Sequence, residues 1–277
     1  MDIIDCHTHV FTPEVIAKRE EIIERDIRFA SIYKGSNESI IDAHGLMEYM
    51  ENNMISRCIA CGFPFMDDGL IEASNDYIIE ASRQDSRIIP FIVFNLYDKE
   101  KAMAEIERCY RKGAVGLGEI GFYERGMEKR EFELLDDVAY FAEKTGMPLI
   151  LHVNEQIGHI YNGKIPVDFI SLIDFIKRHP FLNIVLAHLG GGVCFYEFMP
   201  EIRQIFTNVR YDTAALPFIY SERIYGYIGL FLSDKVLFGT DYPLLGPKRY
   251  LQGLSILHEE LQEDILNRNA RRFIERG

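Results

Sequence analysis

The sequence predicts a single (β/α)8 barrel over residues 1–277, because eight short apolar runs alternate with amphipathic helical patterns. Neither a Gly- or Pro-rich linker nor a shift in composition marks a domain boundary. A length of 277 residues also suits one such barrel, for which about 250 residues are typical. A doubly wound sheet is the alternative, but that fold usually carries a glycine-rich phosphate loop after an early strand, and none follows the first strand here.

The predicted elements follow from local patterns in the chain. Helical patterns at residues 99–112 and 129–145 end at Gly113 and Gly146, which are typical residues after a helix, and further helices are predicted at 167–179 and 257–275. Residues 11–53 are long for one connection, so we expect a helical insertion after strand 1 that partly covers the barrel mouth. The predicted strands, several of them apolar enough to be buried on both faces, span residues 2–6, 57–61, 88–94, 114–117, 149–151, 183–187, 209–211 and 235–238.

Composition and charge exclude several classes of protein. The chain has 30 Lys and Arg residues against 43 Asp and Glu residues, which gives a net charge of −13. An acidic chain without long basic clusters is a poor partner for nucleic acid or an anionic membrane. No apolar stretch approaches the about 20 residues of a membrane span. The 5 scattered cysteines favour a reducing compartment, so we expect a cytoplasmic protein that acts on a small molecule.

Four histidines and one aspartate lie at the carboxyl ends of predicted strands, where the active sites of such barrels are built. His7 and His9 are two residues apart at the end of strand 1, so their imidazoles share a face and can converge on one metal ion. His152 ends strand 5, His188 ends strand 6 and Asp241 follows strand 8. Each residue alone is compatible with a core or turn position, but together they predict a divalent-metal site.

Other side chains near the strand ends complete the predicted site. Glu119 follows strand 4 in a glycine-rich stretch, where its carboxylate would bridge two metal ions or move protons beside one; a solvent-exposed loop glutamate is the alternative. Tyr123, Phe63 and Asn154 are predicted to contact substrate, although aromatic packing alone would explain the first two. Asp5 is expected either to orient a ligand histidine or to be a buried structural carboxylate.

The His7-Thr8-His9 motif, His152, His188 and the GTDYP motif around Asp241 resemble the amidohydrolase superfamily. They are most similar to its amidohydrolase-related branch, which includes aminocarboxymuconate-semialdehyde decarboxylase. The resemblance extends from the first strand to the closing NARRF motif at residues 269–273. It implies a (β/α)8 barrel with a divalent metal ion, usually Zn²⁺.

The resemblance implies two alternative ligand sets. In members with two metal ions, the counterpart of His188 is a ligand and a residue of strand 4 bridges the ions. The stretch around Glu119 also resembles TatD-type deoxyribonucleases, in which a glutamate of strand 4 binds metal. No lysine lies in strand 4 for a carboxylated bridge, so the number of ions, one Zn²⁺ or two, stays open, with Mn²⁺ or another divalent ion as an alternative. In members with one metal ion, His188 corresponds to a residue beside the bound water, and the ligands correspond to His7, His9, His152 and Asp241.

The favoured function is metal-dependent hydrolysis of a small organic substrate, an organic acid or its ester, lactone or amide. Asp241 would take a proton from a metal-activated water, and His188 would polarise the scissile carbonyl or hold the water. Decarboxylation of an unsaturated or aromatic acid is an alternative, for which Arg125 and Arg249 are candidate carboxylate-binding residues. A TatD-like nuclease and a catalytically inactive metal-binding barrel are further alternatives. A homo-oligomer is compatible with the sequence.

Overall fold

The computed structural model describes residues 2–36 and 38–275, and its centre is one sheet of 8 parallel strands that neighbour one another in sequence order. The first and last strands also meet, because the Cys6 amide donates to the Phe238 carbonyl at 2.8 Å and the Asp241 amide to the His7 carbonyl at 2.9 Å. This topology confirms the predicted (β/α)8 barrel. The strands are β1 (Ile3–His9), β2 (Ile55–Cys61), β3 (Ile88–Ile92), β4 (Gly116–Ile120), β5 (Leu149–Leu151), β6 (Ile184–Leu186), β7 (Val209–Asp212) and β8 (Val236–Leu237).

Helices surround the strands and connect them. Short 3₁₀ and π segments at His188–Phe198, Ile228–Leu232 and Asp264–Arg268 supplement the α-helices. Among the described residues, none of the helices has both the length and the apolarity needed to cross a membrane. The α-helices are α1 (Pro13–Ala17), α2 (Arg19–Arg25), α3 (Ile27–Tyr33), α4 (Ala43–Asn53), α5 (Asp68–Gln84), α6 (Lys99–Lys112), α7 (Lys129–Leu134), α8 (Asp136–Thr145), α9 (Phe169–Arg178), α10 (Pro200–Ile205), α11 (Leu216–Ile219), α12 (Arg223–Tyr227), α13 (Lys248–Leu254), α14 (Glu259–Glu263) and α15 (Asn269–Ile274).

Several predicted elements have different bounds in the structure. The predicted helix over residues 129–145 is divided into α7 and α8, which meet at Leu135. The segment predicted to be helical over 257–275 contains two α-helices, α14 and α15, joined by a π-helical turn. β4 extends to Ile120, so Glu119 lies inside the strand instead of following it. The reason is pairing with β5, since the His152 amide donates to the Ile120 carbonyl at 2.8 Å, and the local glycine-rich sequence does not reveal this tertiary contact.

The chain between β1 and β2 forms the expected helical insertion, α1 to α4, at the barrel mouth. Arg28 of α3 attaches the insertion to two loops of the barrel, and it is only 2% exposed. The guanidinium donates to both carboxylate oxygens of Glu124, at 2.7 and 3.2 Å, and to the Pro64 carbonyl at 3.1 Å. Asp26, which caps α3, also accepts a hydrogen bond from the Met66 amide at 2.7 Å. These contacts hold the insertion against the loops that follow β2 and β4.

Apolar side chains fill the barrel interior below the mouth. Ile4 and Cys6 of β1 belong to this cluster. Phe91 of β3 and Phe273 of α15 belong to it as well, with ring centroids 6.2 Å apart. Because this end of the barrel is packed, the carboxyl ends of the strands are the place where the barrel can admit a substrate.

Candidate metal centre

His7, His9 and Asp241 form the first of two groups of side chains that could hold a metal ion. The Nε2 atoms of His7 and His9 lie 3.2 Å apart, and His9 Nε2 lies 3.1 Å from Asp241 Oδ1. In a tetrahedral zinc site with bonds of about 2.0–2.1 Å, neighbouring ligand atoms lie about 3.3 Å apart. The spacing of these atoms therefore suits the ligands of one cation.

Glu119, His152 and His188 form the second group. His152 Nδ1 lies 2.9 Å from Glu119 Oε1 and 3.1 Å from His188 Nε2. All three side chains are at most 8% exposed. Such a concentration of buried polar groups is costly unless each group is paired or bound to a metal ion.

The Glu119 carboxylate lies between the two groups. Its Oε2 is 3.6 Å from His7 Nε2 and 3.7 Å from His9 Nε2. Its Oε1 faces His152 and lies 3.5 Å from His188 Nε2. One carboxylate thus presents a different oxygen to each group.

Hydrogen bonds behind the second group leave its converging nitrogen atoms as acceptors. His188 Nδ1–H donates to the Ala214 carbonyl at 3.0 Å, and His152 Nε2–H donates to the Gly163 carbonyl at 3.1 Å. In a neutral imidazole the other ring nitrogen then carries a lone pair. Two lone pairs would face each other across 3.1 Å, which is repulsive unless a proton or a metal ion lies beside them. The donor set therefore fits a divalent cation.

The ionisable groups of the site shift one another's pKa values. Burial opposes ionisation of Glu119, but His152 and His7 outweigh it and hold its pKa well below the ordinary value. Burial also opposes a charge on His188, yet Glu119 and Asp241 raise its pKa to about 9. The pKa of Asp241 is lowered to about 2, since the hydrogen bond from His9 and the charge of His7 outweigh burial. The carboxylates thus attract positive charge to this site, and a metal ion would displace the protons.

The backbone is specialised where it carries these side chains. His188 and Asp241 have φ values of 56° and 62°, in the left-handed region that non-glycine residues seldom adopt outside functional sites. Next to Glu119, Gly118 has a φ of +129°, and a Cβ there would lie 2.6 Å from the Ile150 carbonyl oxygen. Glycine therefore permits the close approach of β4 to β5 beside the two groups.

A cavity of about 300 Å³ opens onto the two groups, and its lining includes Tyr123, Phe63 and Asn154, the residues that the sequence proposes as substrate contacts. The Tyr123 hydroxyl donates to Glu119 Oε2 at 3.2 Å, and its ring stacks on Phe63 with the centroids 5.7 Å apart. Asn154 is 1% exposed, and its Nδ2 donates to the Tyr161 hydroxyl at 3.3 Å. Asn154 therefore holds the loop after β5 as well as lining the cavity.

Asp212 is the main residue of the site that the sequence reasoning missed. It is fully buried at the end of β7, and its Oδ2 accepts a hydrogen bond from His7 Nδ1–H at 2.8 Å. Its Oδ1 accepts from the amides of His188 and Ala214, at 2.8 and 3.1 Å. Because His7 Nδ1 is the donor, His7 Nε2 is left as a potential ligand. The position of Asp212 at the carboxyl end of a strand could have indicated its role, since the other candidate residues were identified from that position.

Of the two roles considered for Asp5, orienting a ligand histidine or being a buried structural carboxylate, the structure favours the second. Its carboxylate accepts hydrogen bonds from the Tyr49 and Thr240 hydroxyls, both at 2.7 Å, and from the Thr240 amide at 3.0 Å. A register shift between Asp5 and Thr8 interrupts the alternation that would place Asp5 on the same face as His7. Asp5 thus fixes the residue before Asp241, and burial raises the pKa of Asp5 to about 6.

Arg125 and Arg249, the candidate partners for a substrate carboxylate, are absent from the described lining of the cavity. The Arg125 guanidinium lies 4.8 Å from the Tyr97 ring centroid and pairs with Glu124. Arg249 donates to the Pro217 carbonyl at 3.0 Å. The neighbouring loops thus engage both side chains.

A family model described as amidohydrolase matches residues 4–276. The chain belongs to the amidohydrolase family. This match confirms the resemblance seen in the histidine motifs and identifies the chain as an enzyme of that superfamily. Among curated proteins, no significant match was found.

Solved structures similar to this amidohydrolase include decarboxylases and a probable hydrolase. A 5-carboxyvanillate decarboxylase from Novosphingobium aromaticivorans, complexed with manganese and 4-hydroxy-3-methoxy-5-nitrobenzoic acid, has a TM-score of 0.76 and 15% identity, covering 99% of this chain and 96% of that one. The enzyme of that name from Sphingomonas paucimobilis has a TM-score of 0.74 and 16% identity, covering 99% of both chains. A probable 2-pyrone-4,6-dicarboxylic acid hydrolase from Acinetobacter baumannii, with citric acid bound, has a TM-score of 0.65 and 13% identity, covering 99% of this chain and 100% of that one. At such identities the likeness shows the fold.

Proposed function

We propose that this amidohydrolase hydrolyses a small ester, lactone or amide at a centre of two divalent metal ions. The observation that carries the proposal is the Glu119 carboxylate, which presents Oε2 to one group and Oε1 to the other. A centre with one ion, held by His7, His9, His152 and Asp241, would leave the buried Glu119 carboxylate and His188 Nε2 without a metal partner. The proposed ligands are His7, His9 and Asp241 for one ion, His152 and His188 for the other, and Glu119 for both.

The donor set indicates the class of metal. Imidazole nitrogen suits Zn²⁺, and carboxylate oxygen also suits Mn²⁺. Zn²⁺ is the first expectation, and Mn²⁺, which is present in a structural neighbour, is the second. When bound, such an ion lowers the pKa of a water molecule and polarises a carbonyl group.

Asp241 is the proposed proton carrier of the reaction. Its side chain is 16% exposed and lines the cavity, whereas the side chains of Glu119 and His7 are at most 3% exposed. Asp241 would accept a proton from water and donate it to the leaving group. The substitution Asp241→Asn keeps the size and removes the basic oxygen, so we expect turnover to fall at least about 100-fold. An unchanged rate in the folded variant would refute this assignment.

Tyr123 is proposed to position the bridging carboxylate and to contact substrate. Burial raises the pKa of the Tyr123 hydroxyl, so it remains a donor to Glu119 at neutral pH. With Phe63 its ring forms an apolar wall beside the metal groups, which suits the organic part of an ester or amide.

Decarboxylation is the second candidate, and the structural neighbours that carry out this reaction favour it. A carboxylic acid substrate would need a cation for its carboxylate besides the catalytic centre. Within residues 2–36 and 38–275, neither lysine nor arginine lines the cavity. The same observation, with the net charge of −13, disfavours a nuclease.

Metal stoichiometry combined with activity tests the proposal. Chelator-treated protein is dialysed against Zn²⁺ or Mn²⁺, and the bound metal is counted by mass spectrometry. We expect two ions per chain and hydrolysis of members of a panel of aryl esters, lactones and anilides. Glu119→Gln should lower the stoichiometry to one or fewer and hydrolysis at least about 100-fold. The control Glu105→Gln removes a carboxylate of α6 outside the barrel and should keep both ions.

Other outcomes would select other functions. One tightly bound ion that is unaffected by Glu119→Gln would refute the two-ion centre. Release of CO₂ from aromatic or dienoic acids, without hydrolysis of the panel, would identify a decarboxylase. Cleavage of short DNA would identify a nuclease, and a metal-loaded protein inert in every assay would be the catalytically inactive barrel.

A further inference from the structure

The charge of the cavity wall points to the class of substrate. In the described part of the chain, the lining includes three carboxylates, those of Glu38, Glu119 and Asp241, and no lysine or arginine. Glu119 and Asp241 belong to the proposed metal centre. Glu38 does not, since it lies in the helical insertion, between α3 and α4.

The Glu38 carboxylate has no hydrogen-bond or ion-pair partner among the described residues, and only the backbone of Glu38 is tethered. Its carbonyl accepts a hydrogen bond from Arg19 Nη1 at 2.7 Å, and Arg19 Nη2 donates to the Ser36 carbonyl at 3.1 Å. The Arg19 guanidinium also lies 5.5 Å from the centroid of the Tyr33 ring. Arg19 therefore positions the segment, and its charge offsets that of Glu38 only in part.

Burial and the charge of Asp241 raise the pKa of Glu38, while Arg19 opposes this shift. Glu38 and Asp241 line the same cavity, so the Glu38 carboxylate stands on the route to the metal groups. A substrate that reaches the centre would therefore pass or contact a carboxylate that is half-buried and unpaired.

Two cations of neighbouring segments, Lys164 and Arg28, are already engaged. Lys164 Nζ bonds to the Glu155 carboxylate at 2.9 Å and to the His159 carbonyl at 3.0 Å. Arg28 is buried against Glu124. The rest of the wall is largely apolar or aromatic and includes Ile32, Tyr33, Phe63, Tyr123, Phe218 and Leu244.

We infer that Glu38 determines the charge specificity of this cavity. The cavity should accept aryl or alkyl substrates whose end remote from the scissile bond is cationic or neutral, and it should disfavour substrates with a carboxylate at that end. For the reaction itself the inference rests on the proposed hydrolysis. An ammonium group would pair with the Glu38 carboxylate, whereas a substrate carboxylate at this end would meet a like charge, and the described lining has no lysine or arginine to compensate it. Aromatic side chains would pack on the central part of the substrate.

Three esters that differ only in the remote group test this inference. They are phenyl acetates with a para 2-aminoethyl, 2-hydroxyethyl or carboxymethyl group, and each consumes one water and yields acetate and the matching phenol. At pH 8, where exposed imidazoles are uncharged, kcat/KM should fall in the order cation, neutral, anion. Glu38→Gln should lower the cation-to-neutral ratio about tenfold. The control Glu20→Gln removes an exposed carboxylate of α2 and should leave that ratio unchanged.

Binding of the phenol products provides a readout that does not require turnover. Tyramine, 4-hydroxyphenethyl alcohol and 4-hydroxyphenylacetate are titrated calorimetrically into metal-free and metal-loaded protein. Tyramine should bind about tenfold more tightly than the alcohol in both forms, and Glu38→Gln should remove this difference.

The two readouts separate the inference from the proposed function. Hydrolysis of all three esters at similar kcat/KM, or a preference for the anion, would overturn the inference and leave the hydrolase in place. Tyramine selectivity that depends on Glu38, without hydrolysis of any ester, would support the inference and count against hydrolysis. Equal binding of the three phenols to wild type and Glu38→Gln would also overturn it.

Discussion

Replacing Asp212 with Asn tests whether hydrogen bonds behind the histidines prepare them to bind metal. The Asp212 Oδ1 that accepts from the His188 and Ala214 amides can be retained as the amide oxygen. The new NH₂ group then takes the place of Oδ2, 2.8 Å from His7 Nδ1. It would donate to Nδ1, so that the neutral imidazole carries its proton on Nε2, the atom that faces His9 and Glu119.

The magnitude follows from the role of Asp212 as a partner of a ligand. Loss of such a partner typically costs about 10- to 100-fold in metal affinity, or about 1.4–2.7 kcal/mol. We expect an affinity loss of this size for the ion held by His7 and His9, measured by competition with a chromophoric chelator. Burial opposes a charge on His7, but Glu119 and Asp212 raise its pKa in the metal-free protein, so the tautomer is compared at a pH above that pKa. There nitrogen-15 NMR should show the His7 proton moving from Nδ1 to Nε2.

Glu197→Gln is the matched control for this variant. Glu197 is a buried carboxylate too, and it accepts hydrogen bonds from the Tyr211 hydroxyl and from Lys235 Nζ, both at 2.7 Å, neither of which belongs to the metal groups. The Glu197→Gln substitution should lower the free energy of unfolding without changing the metal affinity. Wild-type metal affinity in Asp212→Asn, or an equal loss of affinity in Glu197→Gln, would refute the reasoning about the tautomer.

Three further results are expected. Chelation should lower the melting temperature by about 5–10 °C in differential scanning fluorimetry, because ion at about 100 times its Kd stabilises by about 2.7 kcal/mol; an unchanged value would argue against a bound ion. Gly191→Ala should destabilise by about 2–4 kcal/mol in urea, since Gly191 has a φ of +58° and a Cβ there would lie 2.2 Å from the Asn154 carbonyl oxygen; a wild-type unfolding curve would contradict this. Burial opposes ionisation of Glu105, but hydrogen bonds from Arg108 and Asn75 hold its pKa below the ordinary value of 4.5. Its contribution to stability should therefore be present above pH 4.5 and lost as the pH falls through the folded-state pKa. Glu105→Gln should be less stable than wild type at pH 7 and should lose less stability on acidification, and parallel pH profiles would contradict this assignment.

The order of the elements was open to prediction because it depends on local patterns. Apolar runs and helix-ending glycines such as Gly113 can be recognised from a short stretch of sequence alone. Strand bounds that depend on pairing between strands could not be predicted in this way. Glu119, for example, lies inside β4 because Ile120 pairs with β5. The division of residues 129–145 at Leu135 likewise has no proline or glycine to announce it.

The sequence by itself determined that His7, His9, His152, His188 and Asp241 meet, because the carboxyl ends of parallel strands share one rim of a barrel. Only the tertiary structure decided how they meet. It placed the Glu119 carboxylate between two groups, brought Asp212 behind His7, and turned Asp5 away toward Thr240. It also brought Glu38 into the cavity and kept Arg125 and Arg249 out of its described wall. These arrangements depend on contacts between loops far apart in the chain, and periodicity within one segment carries no information about them.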